Sequence, residues 1–442
     1  MYSHAQAEWW RPESPPDDEA RPERARSNRA VPAVSASPFW ALMIFTFIQI
    51  LAPQALFKSL TPLRIGLIAA ALAAATFLLD RIVRRGSVTV GSREMAVAAG
   101  LALWATVTVP WSYWPGGSLS FLTAVYLKTL VIFWLLANVV STRERLKTMV
   151  WGLSLMAAPL AVLAIRAYLS GEFVDTGAVR RLESYEAPLT QNPNDLALML
   201  NLILPLTVAL FLAHRRIAVR AALLAVMALD VLAIIVSFSR AGFLTLGATA
   251  SIYLVRLLKR PERGFAVAVL VLALLCAPLL PTGYLERLST ISNIEADPTG
   301  SAQARWADSL AAVKFVARHP IVGAGLGMDF LALNEIRGPA WKDVHNVYLQ
   351  HAVDLGLPGL ALFLVLFAGC ARAARAVQRS AAGYPEQRDL FCLAEGIQVS
   401  LAAFAVAALF HPVAYHVYFY YMAGLALAIR HVHDSPMPVG AN

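Results

Sequence analysis

Apolar residues run along this chain in long, nearly uninterrupted segments. Most of these runs reach roughly 17 residues, the length that a helix needs to cross about 30 Å of hydrocarbon. They are rich in Leu, Ala and Val and lack the short alternating strands of a membrane barrel. We therefore predict an all-α polytopic membrane protein with about twelve membrane helices, at 39–57, 62–79, 95–111, 119–140, 148–168, 196–213, 221–238, 241–257, 265–280, 355–371, 389–410 and 413–429.

Basic residues between these runs indicate how the chain crosses the membrane. Lys and Arg cluster in alternate short loops, at 81–93, 143–147, 215–220, 259–263 and 372–388. Cytoplasmic loops of membrane proteins have the excess of positive charge. We therefore expect cytoplasmic N- and C-termini. The same alternation places residues 169–195, Arg240 and a large loop at 280–354 on the extracytoplasmic side.

Composition adds expectations about partners and about the tails. The net charge of +9 comes mostly from loops on one side, so it gives no reason to expect nucleic acid as a partner. Residues 1–37 are rich in Pro, Arg, Glu and Asp, which predicts a disordered cytoplasmic tail. A membrane domain at 38–430 and a cytoplasmic tail at 431–442 follow it. We expect the first membrane helix to serve as an uncleaved anchor.

Several common catalytic motifs are missing from the sequence. There is no Gly-x-x-x-x-Gly-Lys-Ser/Thr loop for nucleotide hydrolysis. No Asp-x-Asp pair occurs in a cytoplasmic loop, and neither the His-Glu-x-x-His nor the Cys-x-x-Cys metal spacing is present. A Gly-x-Ser-x-Gly nucleophile turn is also missing. We therefore expect no cofactor and no metal, and chemistry that depends on arginine, histidine and polar groups.

The large loop at 280–354 contains a segment with helical periodicity. Between Ser301 and Ala317, apolar residues recur every three or four positions. The spacing places Trp306, Leu310, Val313 and Ala317 on one face. We expect this amphipathic helix to lie over the membrane domain with that face buried.

Glycines follow this segment, and a second short helix is expected after them. The sequence Gly-x-Gly-x-Gly at 323–327 predicts a turn in which the backbone closely approaches a neighbour or a ligand. No strand precedes it, so it differs from a dinucleotide-binding motif. The pattern then predicts a short helix from Asp343 through His345 to Ala352.

Several basic residues on the extracytoplasmic side are candidates for chemistry. Arg240 lies at a membrane edge, where a guanidinium is costly unless it is paired or hydrated. Its planar fork suits a phosphate or a carboxylate. Arg180, Arg181, Arg305 and His345 are less specific singly, because each also fits a solvated or structural role. Their collection on the side where basic charge is disfavoured indicates a functional site.

The loop before the sixth predicted span ends in a turn signal. Residues Asn192 to Asp195 read Asn-Pro-Asn-Asp, which is typical of a turn at the start of a helix. Asp195 is a suitable N-cap for the helix that follows. We expect this structural role for Asp195 and keep a substrate contact as the alternative.

These motifs together resemble a known family. Four of them occur in order, namely 191–197, 239–242, Arg305 with 319–327, and 345–350 with 355–359. This order resembles the O-antigen ligase superfamily, and the resemblance is strongest over residues 190–365. It implies a GT-C-like fold with one large periplasmic loop that contains short amphipathic helices. Ala241, where the family commonly has Gly, departs from the pattern.

The resemblance implies an activity and a location. Members transfer a glycan from undecaprenyl diphosphate to an acceptor hydroxyl, without metal or nucleotide, at the periplasmic face of the bacterial inner membrane. Direct attack would invert the anomeric centre. By motif, the catalytic residues correspond to His345 as general base and to Arg305 and Arg240 as partners of the diphosphate. Lower-ranked candidates for contacts with diphosphate or glycan are Arg180, Arg181, Asn194, Asp195, Trp306, Asn346 and Tyr348.

Other functions remain open at this point. The first interpretation is an O-antigen ligase with lipid A–core as acceptor, and a polymerase extending a polysaccharide is the alternative within the superfamily. Protein-glycosylating members commonly have a further extracytoplasmic portion, so we rank that acceptor lower. An inactive scaffold is a further alternative. A transporter would instead use Lys128, Asp230 and Glu395 within the membrane runs.

Overall fold

The computed structural model describes residues 35–84, 86–89, 91–175, 180–182, 189–190, 192–276, 278 and 300–435. Most of the two expected tails, at 1–34 and 436–442, lies outside these residues, and so does 279–299 of the large loop.

The described chain is almost entirely helical, as predicted for an all-α membrane protein. The long helices that form the membrane domain are α1 (Ser37–Leu51), α3 (Ile65–Val83), α4 (Arg93–Val107), α5 (Pro115–Phe121) continuing into α6 (Leu127–Val139), α7 (Arg143–Leu169), α8 (Pro193–Ala213), α9 (Ile217–Val236), α10 (Arg240–Leu258), α11 (Arg263–Cys276), α14 (Val347–Ala381), α15 (Arg388–Ala407) and α16 (Val417–Asp434). Shorter helices are α2 (Pro53–Leu56), α12 (Ser301–Arg318) and α13 (Asp329–Arg337).

The predicted membrane spans coincide with helices of the structure. Nine of the described helical segments are long and apolar enough to cross a membrane. The other three predicted spans correspond to α1, with 15 residues, to α11, and to α16, whose last turn is polar. The helix α8 is the most central, since almost every residue from Leu196 to Leu212 is buried. Its neighbours include α15, α9 and α7.

A two-stranded antiparallel hairpin is an addition to the predicted all-helical chain. Strand β1 (Phe173–Asp175) pairs with β2 (Arg180–Leu182), with Val174 opposite Arg181. The hairpin follows α7 directly, and β2 lies against that helix. Arg180 and Arg181 are therefore residues of a strand at the end of the helical bundle.

One end of the bundle is held together by ion pairs. Glu395 of α15 is buried and accepts hydrogen bonds from Arg256 and Arg260, which lie at the end of α10. At the start of the same helix, Asp389 pairs with Arg143 of α7. We call this the basic end; it also holds the start of α1, because Arg145 donates to the Ser35 carbonyl.

The opposite end of the bundle is joined mainly by backbone and neutral side-chain contacts. The Val347 N–H donates to the Ala408 carbonyl at 2.7 Å, which joins the start of α14 to the α15–α16 loop. The Tyr418 hydroxyl donates to the Leu189 carbonyl at 2.9 Å. The α12 and α13 helices also lie at this end, on a small apolar core that includes Phe315.

The Gly-x-Gly-x-Gly turn contacts neighbouring protein. Gly323, Gly325 and Gly327 all have positive φ, which only glycine adopts at low cost. A Cβ at Gly325 would lie 2.1 Å from the Ser112 hydroxyl oxygen. The Asp354 carboxylate accepts the N–H groups of Gly327 and Met328 at 3.0 Å. Of the two predicted roles for this turn, the structure shows close approach to a neighbour.

The long helix α14 is interrupted where the turn contacts it. Gly356 has φ 67° and ψ −176°, so two helical segments meet there at a kink. A Cβ at Gly356 would lie 2.1 Å from the Ile321 carbonyl oxygen. The Leu357 N–H donates to the Pro320 carbonyl at 2.8 Å, and Pro358 begins the second segment. The segment from α12 to α13 is thereby joined to the membrane domain at a fixed point.

Candidate functional site

A cavity of about 240 Å³ lies at the end of the bundle opposite the basic end. Three parts of the chain form its walls: the start of α8, the large loop, and the loop between α15 and α16. The lining residues are Asn192, Asn194, Asp195, Arg305, Asp343, His345, Phe410, His411, Pro412, Val413, His416 and Tyr418. Four predicted site residues, Asn194, Asp195, Arg305 and His345, are therefore brought together although they are far apart in sequence.

His345 lies in the loop before α14. Its Nδ1 atom is 3.0 Å from the Asp343 carbonyl oxygen, which can only accept a hydrogen bond. Nδ1 therefore has the proton in the neutral ring, and Nε2 is the available acceptor. Burial and the nearby charge of Arg305 lower the pKa of His345 to about 4, despite the Asp343 contact. The ring is thus neutral at physiological pH, because this pKa lies well below the value near 6.5 of an unperturbed histidine.

The prediction of a helix starting near Asp343 was wrong. The helix begins at Val347, and Asn346 is its N-cap, because the Asn346 side chain accepts the N–H groups of Tyr348 and Leu349. An asparagine directly before the apolar run is the stronger start signal. His345 is consequently in an extended segment rather than on a helix face.

Asn346 and Tyr348 have structural contacts and do not line the cavity. Asn346 caps α14, as described. The Tyr348 hydroxyl donates to the Ala405 carbonyl at 3.0 Å and so joins α14 to α15. The contacts of both residues therefore place them behind His345, where they fix the start of α14.

Arg305 lies one turn into α12, and its side chain lines the cavity. The prediction of which face of α12 is buried was wrong. Trp306 is 67% exposed, and Leu310 and Val313 are also exposed. The buried face consists instead of Asp308, Ala311, Ala312 and Phe315. The helix has two apolar stripes, and the one with small alanines packs against α13 and α14. Periodicity alone does not distinguish the two stripes.

Three residues that the sequence did not single out hold Arg305 and His345 in place. Arg337 of α13 forms a buried ion pair with Asp308, which lies one turn after Arg305 on α12. The same guanidinium donates to the Lys342 carbonyl at 2.7 Å, three residues before His345. The buried Asp329 carboxylate accepts the Val344 N–H at 2.6 Å. These contacts join the helix of Arg305 to the loop of His345.

Burial dominates the electrostatics of Asp329. The carboxyl is fully buried, and this burial, together with the nearby Asp343, raises its pKa. Charged partners such as Asp308 and Arg337 are easily recognised only once the fold brings them together, because 29 residues separate them.

The start of α8 forms the second wall. Asn192 is the N-cap, and its side-chain oxygen accepts the N–H groups of Asn194 and Asp195. The prediction that Asp195 caps this helix was wrong, because Pro193 occupies the first helical position and the preceding residue is held extended. Asp195 lies in the first turn, where its carboxylate accepts from the Asn192 amide at 2.6 Å.

Two histidines of the third wall were missed by the sequence analysis. His411 is buried, with Nδ1 2.9 Å from the Ala407 carbonyl oxygen and Nε2 3.3 Å from the Asn194 carbonyl oxygen. Burial lowers the pKa of both His411 and His416. The predicted spans at 389–410 and 413–429 left almost no loop here. A signal was present in His-Pro at 411–412, which is typical of a break between helices.

Arg240 lies near the cavity wall but does not line the cavity. It is the first residue of α10, after the N-cap Ser239. Its guanidinium donates to the Ser301 hydroxyl at 2.6 Å, and Ser301 lies one turn before Arg305 on α12. The two predicted arginines therefore meet the same end of α12. Arg180 and Arg181 are placed in β2 by their backbone, and their side chains lie outside the described part.

The residues of the transporter alternative have separate surroundings in the structure. Glu395 is bound by Arg256 and Arg260 at the basic end. Lys128 lines a second cavity with Arg64. Asp230 is buried in α9. The described contacts thus give these three residues different neighbours.

Comparison with known proteins identifies two regions. Residues 222–364 match the family model described as O-Antigen ligase. This region runs from α9 to the first part of α14 and includes Arg240, Arg305 and His345. Residues 31–172 match a family of unknown function (DUF5935). No curated protein matches the chain. The cavity walls at 192–195 and 410–418 lie outside both matched regions.

Proposed function

We propose, because residues 222–364 match the O-antigen ligase family model, that the chain is a member of this superfamily and a glycosyltransferase with undecaprenyl-diphosphate-linked glycan as donor. The glycan would pass to an acceptor hydroxyl, with inversion at the anomeric carbon and without a metal. We propose the O-antigen ligase type, with lipid A–core as acceptor. The observation that supports this proposal is the cavity in which Arg305 of α12 meets His345 of the loop before α14.

The proposal places the cavity in the periplasm and the basic end in the cytoplasm of a bacterial inner membrane. Arg143, Arg145, Lys147, Arg256 and Arg260 all lie at the end opposite the cavity. Such an excess of basic residues is typical of the cytoplasmic side. A glycan attached to undecaprenyl diphosphate would then approach the cavity from the periplasmic leaflet.

Arg305 would neutralise the diphosphate of the donor. A guanidinium binds phosphate oxygens through paired hydrogen bonds and keeps its charge at any physiological pH. Arg240 would support it, because Arg240 contacts Ser301 on the preceding turn of the same helix. As the bond to the glycan breaks, negative charge increases on the leaving diphosphate, and a fixed positive charge then stabilises it most.

His345 would act as the general base. Its Nε2 atom would accept the proton of the acceptor hydroxyl as that oxygen bonds to the anomeric carbon. The bond from the anomeric carbon to the diphosphate oxygen breaks, and its electron pair leaves with undecaprenyl diphosphate. Without a ligand, the positive charge of Arg305 lowers the pKa of His345. A bound diphosphate would offset that charge. The donor would thereby make His345 a stronger base when a base is needed.

The remaining candidates take supporting roles in this proposal. Asn194 and Asp195 form a polar wall opposite Arg305 and would contact sugar hydroxyls. Arg180, Arg181 and Trp306 would contact donor or acceptor outside the cavity. Asn346 and Tyr348 would act through their contacts at the start of α14 rather than by touching the glycan.

Product analysis tests the proposed function. The purified protein is incubated with glycan on undecaprenyl diphosphate, with and without lipid A–core, and the products are analysed by mass spectrometry. We expect a single glycan transfer to lipid A–core. A ladder of lengthened glycans still attached to undecaprenyl diphosphate would assign a polymerase instead. Consumption of the donor without any glycosidic product, or no turnover with any acceptor, would contradict the proposal.

A further inference from the structure

A second cavity, of about 390 Å³, lies between the turn that joins α1 to α3 and the middle of the α5–α6 helix. Its walls include Gln54, Thr61, Arg64 and Lys128. None of its lining residues lines the first cavity. It lies outside the region that matches the O-antigen ligase model, so nothing proposed above uses it.

Two cations face this cavity. Arg64 ends the turn, and Lys128 lies within a helix that is long and apolar enough to span the membrane. Neither forms an ion pair with a residue that the structure describes. A lysine within a membrane helix is costly without a partner or water. An anion in this cavity would remove that cost.

The cavity lies in the outer part of one leaflet, where the long side chains of Arg64 and Lys128 can extend toward a lipid phosphate. The helix α1 has 15 residues, or about 22 Å, which is less than the thickness of the hydrocarbon core. Its start is held at the basic end, so its far end and the following turn lie inside the opposite leaflet. Lys128 is about 10 Å along its helix from Phe121, which contacts the Gly-x-Gly-x-Gly turn at Gly327.

Exposed apolar residues belong to the lining or lie close to it in the chain, and we call them the rim. Leu56 and Phe57 are each 61% exposed, and Leu67 and Leu127 are exposed as well. Two cations beside an apolar rim suit a ligand that has an anionic head and hydrocarbon chains. A free anion in water would gain nothing from these apolar side chains.

We propose that this cavity binds the phosphate head group of an anionic membrane lipid, with the phosphate between Arg64 and Lys128 and the acyl chains along Leu56, Phe57 and Leu67. Gln54 adds a polar contact. Its Oε1 atom is buried and has no hydrogen-bond partner in the described part of the chain. It accepts a hydrogen bond from a head-group hydroxyl, such as that of glycerol. The site does not depend on the proposed glycosyltransferase activity.

Lipid retention on the full-length protein tests this site. The protein is purified in detergent with phosphatidylglycerol or with zwitterionic phosphatidylcholine, and bound lipid is measured by native mass spectrometry. The variants are Arg64→Asn, which tolerates the left-handed backbone at φ 47°, and Lys128→Gln. Arg166→Gln is the matched control, because it removes an exposed cation of α7 that lies away from the basic end and does not line this cavity.

We expect phosphatidylglycerol to bind in preference to phosphatidylcholine. Each cavity variant weakens its binding by about fivefold, since one cation near an anionic membrane surface contributes about 1 kcal/mol. Arg166→Gln has no effect, and Lys128→Arg retains binding, which separates lost charge from misfolding. Equal retention by the two lipids or by all variants would overturn the proposal. So would complete displacement of the lipid by millimolar inorganic phosphate, which would assign a free-anion site instead.

Discussion

The two ends of the helical bundle handle buried charge in different ways. At the basic end, arginines meet carboxylates: Glu395 binds Arg256 and Arg260, and Asp389 binds Arg143. The cavity end has one such pair as well, Arg337 with Asp308, but there Arg240 donates to a serine hydroxyl. There Arg305 lies close enough to His345 for its charge to lower the pKa of the ring.

This difference supports the proposal that the arginines of the basic end are structural and that Arg240 and Arg305 are functional. Ion pairs at the basic end neutralise charge and join helices. At the cavity end a protonated His345 would be unfavourable, because the positive charge of the Arg305 guanidinium lies close to the ring. Such an arrangement gives little to stability and suits the binding of an anion. This agrees with the proposal that the diphosphate of the donor binds at the cavity end.

Removing His345 sharpens the comparison most strongly. We expect His345→Ala to slow glycan transfer by about 10²- to 10⁴-fold, the usual contribution of a general base. Lys314→Ala, which removes an exposed charge from α12, is the matched control and should retain activity. Transfer is measured by mass analysis of the product, with correct folding checked by gel filtration. Activity of His345→Ala near that of the control would mean that His345 is not the base.

At the basic end, loss of one carboxylate should reduce stability instead. Glu395→Gln removes the buried carboxylate that Arg256 and Arg260 bind, which costs about 3 kcal/mol for a buried pair. Thermal unfolding in detergent measures this loss, and glycan transfer per folded molecule should be unchanged. Asp434→Asn, at an exposed ion pair with Arg430, should change stability by less than about 1 kcal/mol. Equal unfolding temperatures for the two variants would contradict the ion-pair role of Glu395.

The glycine turn offers a matched pair of substitutions. Gly325→Ala combines a positive φ with a contact of 2.1 Å to Ser112, so we expect a loss of about 2–3 kcal/mol. Gly338 also has a positive φ, but a Cβ there meets nothing within 4 Å, and Gly338→Ala should cost only about 1 kcal/mol. Denaturant unfolding compares the two. A larger loss for Gly338→Ala would show that the turn at 323–327 is not held by close packing.

The smallest predicted effect is a shift in the titration of His345. Arg305→Gln removes a positive charge and should raise the pKa of His345 above about 4. Burial remains the larger cause, so the pKa should stay below that of a free histidine. The acid limb of the activity profile moves to higher pH with it, because a protonated ring cannot act as base. NMR of labelled histidine measures the shift; an unchanged or lowered pKa would show that Arg305 does not face His345.

Much of the fold followed from the apolar runs, because a helix in lipid must be long, apolar and hydrogen-bonded within itself. The meeting of Arg305 with His345 was predicted from motif order. The face that α12 buries was not, since Trp306 and Phe315 lie on different stripes of similar hydrophobicity. An apolar stripe can face either protein or lipid, and the sequence pattern does not distinguish the two.

The third wall of the cavity also escaped prediction, for a related reason. His411 lies between two apolar runs, and a short loop there is difficult to distinguish from a continuous span. Its partner, the Asn194 carbonyl, is 217 residues away in sequence. Asp329 and Arg337 were missed because their partners, Val344 and Asp308, become neighbours only when the large loop is folded. Local sequence patterns predict helices, whereas contacts between residues distant in sequence depend on the completed fold.

The central claim is that Arg305 and His345 act on one substrate in one cavity. A double-mutant cycle tests it most directly, with glycan transfer measured for Arg305→Ala, His345→Ala and the double variant in purified, folded protein. Residues that act as a unit are strongly non-additive. We therefore predict that the double variant is about as slow as the slower single variant. A double variant whose loss equals the product of the two separate losses would contradict a shared site.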